Sequence, residues 1–278
     1  MHKGKYVFSQ LLDFLDRNDF NYLARKYGGD KYVKQFTCYN QLCVLMFGQL
    51  SNRESLRDVI LATQAHASKA YHLGFGKHAA EWALFRKKKG GIKMHTLYNL
   101  ETQIPTLFHI TPAKVHDTKA MDEIPYEENS FCIFDRAYND FGRLFTINGV
   151  RAYFVVMGKK KFIFFTDAMT ISPVMVAELY HNRWQIELFF KWIKQHLKIK
   201  KFWDTSENAV RIQIYSAIIA YCMMAIVQKK MNVERSIYEM LQIVSVSLTD
   251  ATTLKDLFAK PNYNIVNELD GSTEPTLF

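Results

Sequence analysis

No CxxC pair occurs in this sequence, and its four cysteines, Cys38, Cys43, Cys132 and Cys222, keep no regular spacing. Structural zinc wants tightly paired ligands, so Cys38 and Cys43 with His66, His72 or His78 do not read as a zinc site. Reduced, partly buried thiols of a cytosolic protein are expected instead. A signal peptide is lacking too: MHKGKYVFSQ has no apolar core, which points to a cytoplasmic protein. Long apolar runs are absent. The longest, IQIYSAIIAYCMMAIV (Ile212 to Val227), is interrupted by Gln213 and falls short of a membrane span. It reads as a buried helix, with no membrane partner. There is no internal repeat and no low-complexity segment, which excludes solenoids and disordered linkers.

What is present is apolar bulk and uneven positive charge. Of 278 residues, 49% are hydrophobic and 23% charged, enough to bury a core and too apolar for disorder. Two compact units are plausible at this length. The formal net charge of +9 gathers in FRKKKGGIK (Phe85 to Lys93) and KWIKQHLKIKK (Lys191 to Lys201). A solvated face would carry such clusters. A polyanionic partner explains them better, nucleic acid ahead of an anionic membrane surface.

Residues 6 to 75 read as helices. FSQLLDFLDR, DFNYLARKYGG and NQLCVLMFGQLS repeat apolar residues at three- and four-residue spacing. SNRESLRDVILATQ opens with a capping-box pattern of Ser51 and Glu54. From Gly90 the period falls to two, and GIKMHTLYNL and IPTLFHITPA read as antiparallel strands. NSFCIFDRAYND is a short apolar run ending in Asp135, the profile of a buried strand that delivers a carboxylate. A short helix around Phe141 to Ile147 follows, then strands in RAYFVVMG and KKKFIFFTDAM. Ser172 and Pro173 open one long helix through AELYHNRWQIELFFKWIKQHLKIKKF. Helices at about 207–229 and 234–247 come next. The expected fold class is α/β, a mixed sheet flanked by helices behind a small all-α N-terminal domain. The divisions are a helical N-terminal domain expected to bind DNA, 1–78, a core at 79–260 and a polar tail, 261–278.

At 100° per residue, Tyr180, Arg183, Glu187, Lys191 and Lys194 share roughly an 80° arc of that long helix. Ile186, Phe189 and Ile193 lie opposite. An amphipathic surface helix accounts for the polarity, but not for one carboxylate centred among cations. Phosphodiester chemistry accounts for both, with carboxylates holding divalent metals and cations holding phosphates. Asp135 and Glu187 are the candidate acids.

The spacing Tyr180-x2-Arg183-x3-Glu187-x6-Lys194 resembles the YREK signature of DDE transposases in the bacterial insertion-sequence-4 family. FDRAYND around Asp135 resembles that family's second-aspartate motif. KGGIKMHTLYN and HITPAKVHDTKAMDEI resemble its segments between the first and second aspartates. The likeness covers most of residues 82 to 258, and four motifs in the right order are specific. It implies a ribonuclease H-like core that cuts insertion-sequence ends and joins them to target DNA with Mg²⁺ or Mn²⁺. Asp135 and Glu187 would be catalytic metal ligands, and Tyr180, Arg183 and Lys194 would hold end phosphates beside Lys191. Double-stranded DNA is the implied partner, with a homodimer on DNA and a nucleoid-associated location. Trp184 and Trp192 read as packed aromatics, Asp117 as structural, and His95, His109 and His116 as strand and loop residues.

One part of the pattern is missing. The family's first aspartate lies on a strand just before KGGIKMH, but HLGFGKHAAEWALFRKKKGGIKMH contains no Asp and only one acid, Glu81. A β-rich insertion often seen after YFVVMGKKKFIFFTDAM is missing as well. Both read as internal deletions. The expected function is therefore a transposase with impaired cleavage, or an inert DNA-binding relative that interferes with full-length enzymes. In a ribonuclease H-like sheet of order 3-2-1-4-5 the lost strand is central. The expected repair pairs GIKMHTLYNL directly with SFCIFDRAY and keeps Asp135 and Glu187 within about 8 Å.

Overall fold

A computed structural model describes residues 4–75, 92–158, 163–199, 202–203 and 206–260. Glu81, residues 85–91, Lys200 and Lys201, the 78/79 division and the 261–278 tail lie outside them.

Four helices come first: α1 (Val7–Leu12), α2 (Arg17–Lys26), α3 (Cys38–Leu50) and α4 (Leu56–Ala65). A Thr37–Asn40 capping box opens α3, with Asn40 N–H donating to Thr37 Oγ1 at 3.3 Å and Thr37 N–H to Asn40 Oδ1 at 3.2 Å. The box of α4 is Ser55 with Asp58, at 3.2 and 3.0 Å, which corrects the expected Ser51 and Glu54. Both serines stand three residues before an acid, so the pattern alone does not separate them. Because α3 runs on to Leu50, Ser51 ends that helix, its hydroxyl buried without a partner among the described residues.

Of these, α1, α3 and α4 share their core with the last three helices, α8 (Glu207–Lys230), α9 (Ile237–Ser247) and α10 (Leu254–Phe258). Val7 and Phe8 N–H groups donate to the carbonyls of Asp250 (2.8 Å) and Leu248 (3.0 Å). Gln10 donates to Thr252 O at 2.7 Å and accepts from Leu254 N–H at 3.1 Å. Phe8, Phe47, Ile214 and Met224 are almost wholly enclosed. Burying each such side chain contributes about 1.5–3 kcal/mol. By length and composition α8 is apolar enough to cross a membrane. Most of it is buried, packed on α3 and α9, as a core helix is.

Two small sheets lie between. β1 (Ile92–Asn99) and β2 (Ile104–Pro112) form an antiparallel hairpin. β3 (Phe131–Phe134), β4 (Tyr153–Met157) and β5 (Phe164–Thr166) form the other, in the order β3-β4-β5. β3 runs parallel to β4, and β5 antiparallel to it. Helix α5 (Phe141–Gly149) connects β3 to β4 and buries Leu144 and Ile147 in a core with Phe134 and Val156. The architecture is mixed α/β.

The expected pairing of GIKMHTLYNL with SFCIFDRAY does not form; β1 and β3 belong to separate sheets. A side chain makes the link. His95 on β1 bonds Tyr138 Oη through Nδ1 at 3.0 Å and Thr111 Oγ1 through Nε2 at 2.9 Å. The reason lies in the length of β3. After four residues Asp135 turns the chain, its Oδ1 accepting from Ala137 N–H at 3.1 Å to start the 3-10 turn Arg136–Tyr138. Contact with the hairpin therefore comes from Tyr138.

The single long helix is also corrected, to α6 (Pro173–His181) and α7 (Trp184–His196). Ser172 caps α6 as expected, accepting from Met175 N–H at 3.2 Å. At the junction the N–H groups of Arg183, Gln185 and Ile186 bond carbonyls three residues back, each at 3.1 Å. That tighter 3-10 spacing separates the two helices.

Candidate functional site

Asp135 leaves the end of β3 with its side chain 42% exposed, facing the α6–α7 junction. Arg183 stands at that junction. Its Nη1 lies 3.3 Å from Asp135 Oδ2, and its Nη2 donates to Glu187 Oε1 at 2.7 Å. One guanidinium thus joins the two candidate acids. The Arg183–Glu187 half follows from i,i+4 helix spacing. The Asp135 half depends on β3 ending where α7 begins.

Tyr180 completes the cluster. The Arg183 guanidinium lies 5.5 Å from its ring centroid, and Phe164 packs on the ring at 5.0 Å. Burial raises the Tyr180 pKa. For Arg183 burial works the other way, but the bond to Glu187 and the Asp135 charge hold its pKa above the ordinary value. Tyr138, close by, is pushed up to about 12 by burial and then by Asp117 and Asp135. Among the described residues, Arg183 Nε is buried without a hydrogen-bond partner, and the Arg183 guanidinium is the polar group beside the buried Tyr180 hydroxyl.

Lys191 and Lys194 continue the same side of α7, exposed, and neither pairs with a carboxylate among the described residues. Phe189 and Ile193 are buried in the main core. Trp192 packs on His196 and Tyr221 at 4.9 and 5.1 Å, whereas Trp184 is 46% exposed. Asp117 pairs with Lys93 of β1 at 3.0 Å, both side chains partly exposed. The bond between His95 and Tyr138 was not readable beforehand, because nothing in either segment's pattern names the other.

A two-metal centre needs several carboxylates, one of them bridging. Here two carboxylates share one organic cation, and no group of three His, Cys, Asp or Glu comes together among the described residues. A Mg²⁺ or Mn²⁺ ion between Asp135 and Glu187 would have to displace the guanidinium that pairs with both of them. The donor set does not fit the metal centre that the resemblance implies.

Comparison with known proteins agrees with the motifs. Residues 62–223 match the family described as "Transposase DDE domain", and residues 3–76 match a "Domain of unknown function (DUF4372)". The first match takes in more than half of the chain. The chain belongs to the DDE transposase family, in a form like that of insertion-sequence-4 elements. It is 28% identical over 236 residues to a Sinorhizobium fredii protein named as the transposase y4zB, covering 66% of each chain. It is 23% identical over 223 residues to a Geobacillus stearothermophilus protein named as the transposase for insertion sequence element IS5377, covering 62% of this chain and 59% of the relative. A Synechocystis protein named as the transposase for element IS4SA is 30% identical over 173 residues, covering 47% of this chain and 51% of its own.

The chain thus spans 51 to 66% of the length of these relatives. The 236-residue match occupies only 66% of 278 residues here, fewer than 236, so within that span the relative has residues this chain lacks. No solved structure matches the chain.

Proposed function

We propose that this chain is a transposase-derived DNA-binding protein that grips duplex phosphates with Lys191 and Lys194 and no longer cuts DNA. The observation that carries this reading is Arg183 paired to both Asp135 and Glu187. The guanidinium takes the place between the acids, and the two exposed lysines beyond it are left to meet phosphates. The sheets support a ribonuclease H-like origin. The β1–β2 hairpin and the parallel β3–β4 pair correspond to the two flanks of a 3-2-1-4-5 sheet without its central strand.

The test is a nicking assay on insertion-sequence-end duplexes with Mg²⁺ or Mn²⁺, run beside a binding assay. Binding without nicking is expected. Nicking by the unaltered chain that Asp135→Ala abolishes would overturn the loss of cleavage.

A further inference from the structure

Helix α2 is unusual in having no buried residue. The helix and the turns after it, Arg17 to Lys34, lie far in sequence from the α7 stripe. Three tyrosines stand out of this segment: Tyr22 at 59%, Tyr27 at 76% and Tyr32 at 90% exposure. Arg25, Lys26, Lys31 and Lys34 are exposed among them. Two of the nearby carboxylates are committed to the backbone. Asp16 caps α2, accepting from Asn18 and Asp19 N–H at 2.7 and 3.1 Å, and Asp30 accepts from Cys38 N–H at 2.7 Å.

The presentation of the rings is fixed. Lys31 N–H bonds Gly28 O and Val33 N–H bonds Asp30 O, each at 3.1 Å, so two successive turns hold Tyr27 and Tyr32 outward. Each ring carries a cation, Lys26 Nζ at 5.5 Å from the Tyr27 centroid and Lys31 Nζ at 5.2 Å from that of Tyr32. Tyr32 has φ of 66°, a left-handed conformation that a bulky side chain adopts only under constraint. Folding here holds a large apolar ring in water in a strained backbone.

We infer that this surface binds unpaired DNA, its tyrosines stacking on bases and its lysines and arginine neutralising the phosphates between them. Exposed rings alternating with cations suit a single strand, whose base faces are free. A duplex hides those faces. The inference rests on DNA being the partner, as proposed above, but not on the Lys191 and Lys194 face.

Fluorescence anisotropy on the full chain tests it, with an oligothymidylate of about 12 nucleotides and a duplex of equal length as probes. Tyr27→Ala and Tyr32→Gly should each weaken oligothymidylate binding roughly tenfold and duplex binding less than about twofold. Lys191→Glu with Lys194→Glu should show the reverse order, so that failure of either surface is seen separately. Glycine adopts positive φ freely, so Tyr32→Gly should melt no lower than the parent, which separates a lost contact from a lost fold. Unchanged oligothymidylate affinity, or equal losses on both probes, would overturn the inference. So would variants that alter only the sedimentation of the DNA-free protein, which would make the surface a contact with another protein chain.

Discussion

Arg183 Nη1 lies 3.3 Å from Asp135 Oδ2, which ties the end of β3 to the start of α7. Through the same guanidinium, Glu187 is held at 2.7 Å, so the two candidate acids share one internal cation.

Arg183→Gln should uncover both carboxylates. The pair is partly exposed, so a stability loss of about 1 kcal/mol is expected in urea unfolding. Calorimetric titration with Mn²⁺ should give binding heat in the variant and none in the parent. Identical titrations would mean that the guanidinium does not keep metal from the acids.

Reversing Lys191 and Lys194 to Glu should weaken duplex binding for every sequence, since phosphate contacts carry no sequence information. The slope of log affinity against log salt should become shallower by roughly 2. Binding that ignores ionic strength would remove α7 as the DNA face.

His95 predicts a pH dependence. Burial lowers its pKa from 6.5, with Asp117 opposing and His109 and Lys93 adding to the fall. Between its folded and unfolded pKa values the unfolded chain binds more protons. Stability is therefore complete above about pH 6.5 and is lost as pH falls below it. Thermal melts in that range should fall with pH, and His95→Gln should flatten the trend. The remaining slope would come from His66 and His196, whose pKa values burial also lowers. An unchanged slope in the variant would clear His95.

Three small substitutions test the helical core. Ser55→Ala should cost about 1 kcal/mol through the lost cap of α4, while Ser51→Ala, which removes a buried hydroxyl without a partner among the described residues, should be neutral or stabilising. Gly48→Ala would place a methyl 2.7 Å from Val59 Cγ2 and 2.8 Å from Trp203 Cη2, and overpacking of that kind costs about 1–3 kcal/mol. Denaturant midpoints for the three variants would show whether this order holds.

Periodicity alone marked the N-terminal helices, the hairpin, the strand ending in Asp135 and the buried α8, because local apolar spacing dictates each of them. The i,i+4 relation of Arg183 to Glu187 was equally legible. Tertiary structure decided the rest. Whether Ser51 or Ser55 caps α4 depended on how far α3 ran. The break at Arg183, where the backbone tightens to three-residue hydrogen bonds, was not marked by the apolar spacing. That β1 meets the second sheet through His95 and Tyr138 rather than by a backbone ladder depended on a four-residue strand turning at once. Residues far apart in sequence meet only when packing closes. The charge partner that Asp135 acquired was therefore invisible until the fold put a guanidinium beside it.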